Sequence, residues 1–238
     1  MVSRRSLAAA LAIVAAGTST AAAQVLNGTA GADVLQGTNR GDVITAAAGN
    51  DVVAGYHGRD TILGNDGADL LMGGRQNDTL LGGVDNDTLM GGPGADVVLG
   101  QGGDDQAFGG WGRDVVSGGS GNDRILGGYG SDTLYAGGGE DVVMGGPGND
   151  VIHSRAADAQ RDVIVCGRGH DVVIARPEDS VDASCEKVTV LAAGDAATDP
   201  GDENAAPAAL RAAAGRDNGK GDGAGKGAKR VGDHRGHR

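Results

Sequence analysis

Aromatic residues are nearly missing from this 238-residue chain: they make up 2% of it, with one Phe, one Trp and three Tyr. An ordinary globular core built on aromatic rings is therefore excluded. Cysteine occurs twice and proline five times. After the first two dozen residues no apolar run approaches the roughly 20 residues a bilayer-spanning helix needs, so no membrane span is expected. Neither H-E-x-x-H nor G-x-S-x-G occurs, and no catalytic residue is nominated. Positive charge is also scarce. The formal net charge is -12, and residues 24–194 carry 25 acidic against 10 basic side chains. Such a body repels nucleic acid and anionic membrane and favours cations, so the partner to look for is a metal.

What is present is glycine, 47 residues of it. An excess of this kind signals either low complexity or a tightly turning repeat, and periodicity decides between them. Aspartate recurs at Asp33, Asp42, Asp51, Asp60, Asp69, Asp78, Asp87, Asp96, Asp105, Asp114, Asp123, Asp132, Asp141 and Asp150, fourteen times at a spacing of nine. Counting Asp as the sixth position, the first is glycine from Gly28 to Gly145 except Ala46 and Ala136, and the fourth is glycine except Arg40, Gln76 and Asp85. The eighth is aliphatic throughout, from Leu35 and Ile44 to Val143 and Ile152, and so points into a core.

Each unit reads as a six-residue turn ending in Asp and a three-residue strand. Glycine permits positive φ in the turn, and Val, Ile, Leu and Thr favour an extended segment after it. Nine residues reach at most about 30 Å, too little to encircle two sheets packed about 10 Å apart, so one coil takes two units. Residues 28–153 then form seven coils of eighteen residues.

Stacked coils place every second Asp in a column with carboxylates about 4.8 Å apart. Repulsion along each column calls for counter-ions. Carboxylates and turn carbonyls are hard oxygen donors that suit calcium, and no Cys or His recurs with the repeat to favour zinc or copper. The unit resembles the G-G-x-G-x-D-x-U-x repeat of the RTX, or haemolysin-type, calcium-binding family. The resemblance implies an all-β, right-handed parallel β-roll in which calcium sits between turns of successive coils, held by loop carbonyls and the sixth-position Asp. At most about twelve ions would be sandwiched. Arg40, Gln76 and Asp85 are expected to weaken the turns before Asp42, Asp78 and Asp87, and Gln106-Ala107 to make a poor strand.

The flanks carry further expectations. Arg4 and Arg5, a short apolar stretch and Ala21-Ala22-Ala23 read as a secretory signal over residues 1–23. The repeat roll covers 24–153, a C-terminal cap 154–194, and a disordered low-complexity tail 195–238. An exported chain can hold a bridge between Cys166 and Cys185 as a staple for the cap. The tail's last 23 residues carry seven Lys or Arg against three Asp and could touch an anionic wall polymer. Trp111, at the third position of its turn, is expected on the surface.

Overall fold

The computed structural model describes residues 12–15, 22–154 and 160–191. Most of the expected signal segment, most of the insertion after Ser154 and the whole expected tail lie outside the described residues. Successive strands alternate between two ten-stranded sheets, and every pairing is parallel. One sheet holds Ala12–Ala15, Asp33–Gln36, Val52–His57, Leu70–Arg75, Thr88–Gly94, Gln106–Gly112, Arg124–Gly130, Val142–Pro147, Val163–Arg168 and Ser180–Val181. The other holds Val25–Asn27, Val43–Ala48, Thr61–Asp66, Thr79–Val84, Val97–Gly102, Val115–Ser120, Thr133–Gly138, Val151–His153, Val172–Ala175 and Lys187–Val190. No helix occurs among the described residues.

Register follows from the two-unit coil. Val53 pairs with Leu71 and Ile44 with Ile62, each eighteen residues on. The side chain at each eighth position is fully buried, and these residues stack in single file between the sheets, from Leu35 and Ile44 to Ile164 and Val173. Most units bury only this one large aliphatic side chain, with Leu81 and Leu99 adding a small second cluster, which leaves the coil dependent on its neighbours.

Three expectations are revised. The solenoid has about nine turns rather than seven, because strands continue beyond residue 153. The extra residues after Ser154 lengthen one coil by three, so that Val143 pairs with Ile164 and Ile152 with Val173 at a separation of 21 without loss of pairing. The strands from Val43–Ala48 to Val142–Pro147 run to six or seven residues rather than three. Pairing skips the first-position glycine and resumes beyond it: Ala54 pairs with Met72, then Tyr56 with Gly74 and His57 with Arg75. Finally, Gln106–Gly112 is a full strand with Ala107 completely buried, because Ala107 is paired to Leu89 on one side and Ile125 on the other. Neighbouring coils override a weak local preference for extended structure.

The turns explain the glycines. At most second and fourth positions the backbone has positive φ, and among the described residues the six non-glycine residues with positive φ fall there: Ala47, Tyr56, Asn65, Gln76, Asp85 and Gln101. Gln76 and Asp85, with φ of 79° and 72°, therefore keep the turn that Gly103 makes at 128°, at a conformational cost of about 1 kcal/mol each. First-position glycines serve close approach instead. A Cβ on Gly73 would lie 2.6 Å from the Oδ2 of Asp78 and 2.9 Å from the carbonyl oxygen of Gly91 in the next coil.

At the C-terminal end Cys166 takes a first position, is fully buried at the end of the core, and is bonded to Cys185 with Cα atoms 5.1 Å apart.

Candidate metal centre

The fourteen repeat aspartates form two columns, one along each edge of the roll, and each is no more than 3% exposed. Within a column the backbone N–H of one Asp donates to the Oδ1 of the Asp eighteen residues later. Asp51 donates to Asp69, Asp69 to Asp87, Asp87 to Asp105 and Asp105 to Asp123, each at 2.8 Å. On the opposite edge Asp60, Asp78 and Asp96 donate in the same way to Asp78, Asp96 and Asp114 at 2.8 Å. The carbonyl oxygen of each Asp meanwhile accepts from the strand nineteen residues on, as Asp51 does from Leu70 at 2.9 Å.

One carboxylate oxygen is thereby used and the other is left over. The Oδ2 atoms of Asp51, Asp60, Asp69, Asp78, Asp87, Asp96, Asp105, Asp114, Asp123, Asp132, Asp150 and Asp171 are buried without a hydrogen-bond partner. A buried, unsatisfied carboxylate oxygen is costly, and a native fold that repeats the arrangement in every coil requires a compensating group. The oxygen faces the inside of its own turn. The space a Cβ on Gly91 would fill has Asp96 Oδ2 and the carbonyl oxygen of Gly109 each 2.7 Å away, and Gly127 meets Asp132 Oδ2 and the carbonyl oxygen of Gly145 at 2.8 Å. Carboxylate and carbonyl oxygens of successive coils thus converge under each turn.

Among the described residues no three His, Cys, Asp or Glu side chains gather at one point. A centre here must draw mainly on backbone carbonyls, with one carboxylate per turn. Such an all-oxygen set fits calcium and lacks the nitrogen and sulfur ligands that zinc sites are built on.

Electrostatics point the same way. Burial, more than any other cause, pushes Asp60, Asp69, Asp96, Asp105 and Asp150 up to about 6 and Asp78, Asp114 and Asp123 up to about 7. Asp87 is pushed up to about 8, by burial first and then by the charges of Asp105, Asp69 and Asp85, while the hydrogen bond from Asp69 pulls it down. The ordinary Asp value is about 3.9. A nearby cation would reverse the shift by favouring the ionised form.

The ends of the columns differ from the middle. The Oδ2 of Asp42 accepts from the backbone N–H of Thr38 at 2.6 Å and from its hydroxyl at 3.0 Å, and the Oδ2 of Asp33 accepts from the N–H of Thr29 at 2.5 Å. The Oδ2 of each is thus taken up by its own turn, although the Oδ1 of Asp33 is itself buried without a partner, and the turn of Asp42 is altered by Thr38 as well as by Arg40. At the other end the columns continue into residues that the nine-residue count passes over. Asp141 donates to Asp162, and Asp150 to Asp171. Asp162 donates to Asp179 at 3.1 Å, and Asp171 to Glu186 at 2.8 Å. Asp162 and Asp171 keep the Asp-plus-aliphatic pattern nine residues apart and were within reach of sequence reasoning as column members. Asp179 and Glu186 follow at separations of 17 and 15 and carry no periodic signal. Ser154, whose hydroxyl oxygen lies 2.6 Å from the Oδ2 of both Asp162 and Asp179, carries none either.

Four copies of a family model described as the RTX calcium-binding nonapeptide repeat match residues 27–62, 51–80, 81–116 and 117–152. No curated protein matches the chain.

Proposed function

As the chain belongs to the RTX calcium-binding nonapeptide repeat family, we propose that it is an exported protein whose roll folds on binding calcium and then serves as a structural or interaction module rather than an enzyme. The observation that carries this reading is the unpartnered Oδ2 of each central repeat Asp, buried beside carbonyl oxygens of the next coil. Asp51 to Asp132 and Asp150 would hold the ions together with turn carbonyls. Bound calcium would supply the positive charge that the columns lack. Asp33 and Asp42, whose Oδ2 atoms are already held by threonine, would contribute least.

Coupled folding follows from the balance of terms. Without metal the buried carboxylates must lose either their charge or their burial, the glycines carry a large conformational entropy cost, and most units bury one large aliphatic side chain. With metal, coordination replaces repulsion, and coils stack on nearest neighbours. Export is supported by the leader-like start of the chain and by a disulfide, which persists in oxidising compartments.

Isothermal titration of the full-length chain tests the binding half of the proposal. Several calcium ions, at most about twelve, should bind per chain, with magnesium a poor substitute because it demands stricter octahedral geometry. A chain that binds no calcium, or magnesium equally well, contradicts it.

A second reading, a calcium-stiffened adhesion platform, is favoured by one feature of the surface: two exposed aromatic rings on a single edge.

A further inference from the structure

We infer that the roll edge bearing Trp111 and Tyr129 is a binding face for an acidic polysaccharide. The inference deepens the platform reading and rests on the roll being folded in calcium. In a chain with five aromatic residues, chance would scatter them. Trp111 and Tyr129 instead pair directly across two coils, 67% and 61% exposed, with ring centroids 5.9 Å apart at an interplanar angle of 67°. Both sit at the third position of their turns. Pro93, paired with Trp111, and Pro147, eighteen residues after Tyr129, extend the apolar stripe at the same position along neighbouring strands.

Charge divides between the two edges. On the aromatic edge the outward residues of eight successive turns, between 38 and 170, include five arginines and no carboxylate. Arg75 and Arg168 stand in the same third-position column as the rings, and Arg113 follows Trp111 in the same turn. On the opposite edge the outward residues of the turns between 47 and 140 include Asp66, Asp85, Asp104 and Glu140, all exposed, and no base. The protein is acidic overall, yet one edge is locally basic and aromatic.

That combination matches a sugar acid polymer. The apolar C–H face of a pyranose ring packs on an exposed indole or phenol, whose own polar tip stays wet. A guanidinium grips a carboxylate or sulfate in a planar fork. The rings stand on strands paired on both sides, so little ordering entropy is lost on binding. Nucleic acid is the weaker match, because its dense phosphates are recognised through an overall positive field, and this chain carries -12.

Trp111 is the sole tryptophan, so its fluorescence reports the face directly. The full-length chain in calcium is titrated with hyaluronate and with heparin, and in parallel with dextran, polyglutamate and duplex DNA. Trp111 emission should change with at least one of the two acidic glycans, and with none of the other three at the same concentration. In affinity electrophoresis Trp111→Ala should weaken that binding about tenfold, the scale of one lost stacking contact. Tyr129→Ala and Arg113→Gln should weaken it too, and Asp104→Asn should leave it unchanged. No response to either acidic glycan overturns the inference. So does an equal response to polyglutamate, which would mean charge alone, or to DNA, or an emission change on merely concentrating the protein, which would mean that a second copy covers the face. Far-UV circular dichroism of the same sample separates the two levels. Strong β signal in calcium with silent Trp111 contradicts the binding face alone, and no β signal in calcium contradicts the calcium-folding reading as well.

Discussion

The backbone N–H of Asp105 donates to Oδ1 of Asp123, eighteen residues on, at 2.8 Å, while Oδ2 of Asp123 is buried with no partner. One carboxylate therefore does two jobs. Its first oxygen splices adjacent coils, and its second is presented to the interior of the turn. Replacing it by Asn leaves an amide oxygen to accept the splice but removes the charge and the second acceptor oxygen that the turn interior receives, which sets this position apart from a surface aspartate.

Asp123→Asn should lower calcium stoichiometry by at least one ion and reduce cooperativity, whereas Asp42→Asn should change stoichiometry little, because Thr38 already satisfies Asp42. Isothermal titration of the two variants checks this. Equal losses would show that threonine capping does not determine which turns bind.

Acid should partly replace calcium. In the folded calcium-free roll, burial raises Asp78, Asp114 and Asp123 to about 7, whereas an unfolded Asp titrates near 3.9. The folded state holds the extra protons between these values. Stability from these groups is therefore fully present below about pH 4 and is lost as pH rises through about 7. Circular dichroism in chelator should show more β signal at pH 5 than at pH 8. Calcium binding should release more protons at pH 6 than at pH 8.

Gln76→Gly should stabilise the calcium-loaded roll by about 1 kcal/mol, since Gln76 is held at a φ of 79° that glycine adopts without strain. Gly103→Ala, at a φ of 128°, should destabilise it by more, because the added Cβ would also meet the backbone of Asp85. Denaturant melts at fixed calcium read both.

Reducing the Cys166–Cys185 bond, which spans a separation of 19 residues, should cost on the order of 3 kcal/mol in the C-terminal coils. Because solenoid coils contact only their neighbours, hydrogen exchange should quicken over residues 163–190 and remain unchanged near Asp96.

The repeat made the sheet architecture, the coil length and the Asp columns readable, since a buried aliphatic and a turn aspartate every nine residues leave few ways to close a coil. Where the period slips, sequence reasoning loses the thread. Val143 pairs with Ile164 at a separation of 21 rather than 18, so the parallel ladder continues past the break in period and the coil count exceeds the one read from the strict repeat. Asp179 and Glu186 join the columns through tertiary placement alone. Thr38 reads as an ordinary turn residue until its hydroxyl is seen on Asp42. The basic and acidic edges were also hidden, because turns of opposite edges alternate along the chain and their outward charges are interleaved in the linear sequence.

The central claim, that calcium folds the roll, is tested most directly by circular dichroism combined with small-angle scattering on the full-length chain at neutral pH, first in chelator and then in millimolar calcium, the range of extracellular calcium modules. The account predicts an expanded, weakly structured chain in chelator. It predicts a steep, cooperative gain of β signal with a fall in radius of gyration as calcium is added. A roll already compact and β-rich in chelator at neutral pH would contradict it.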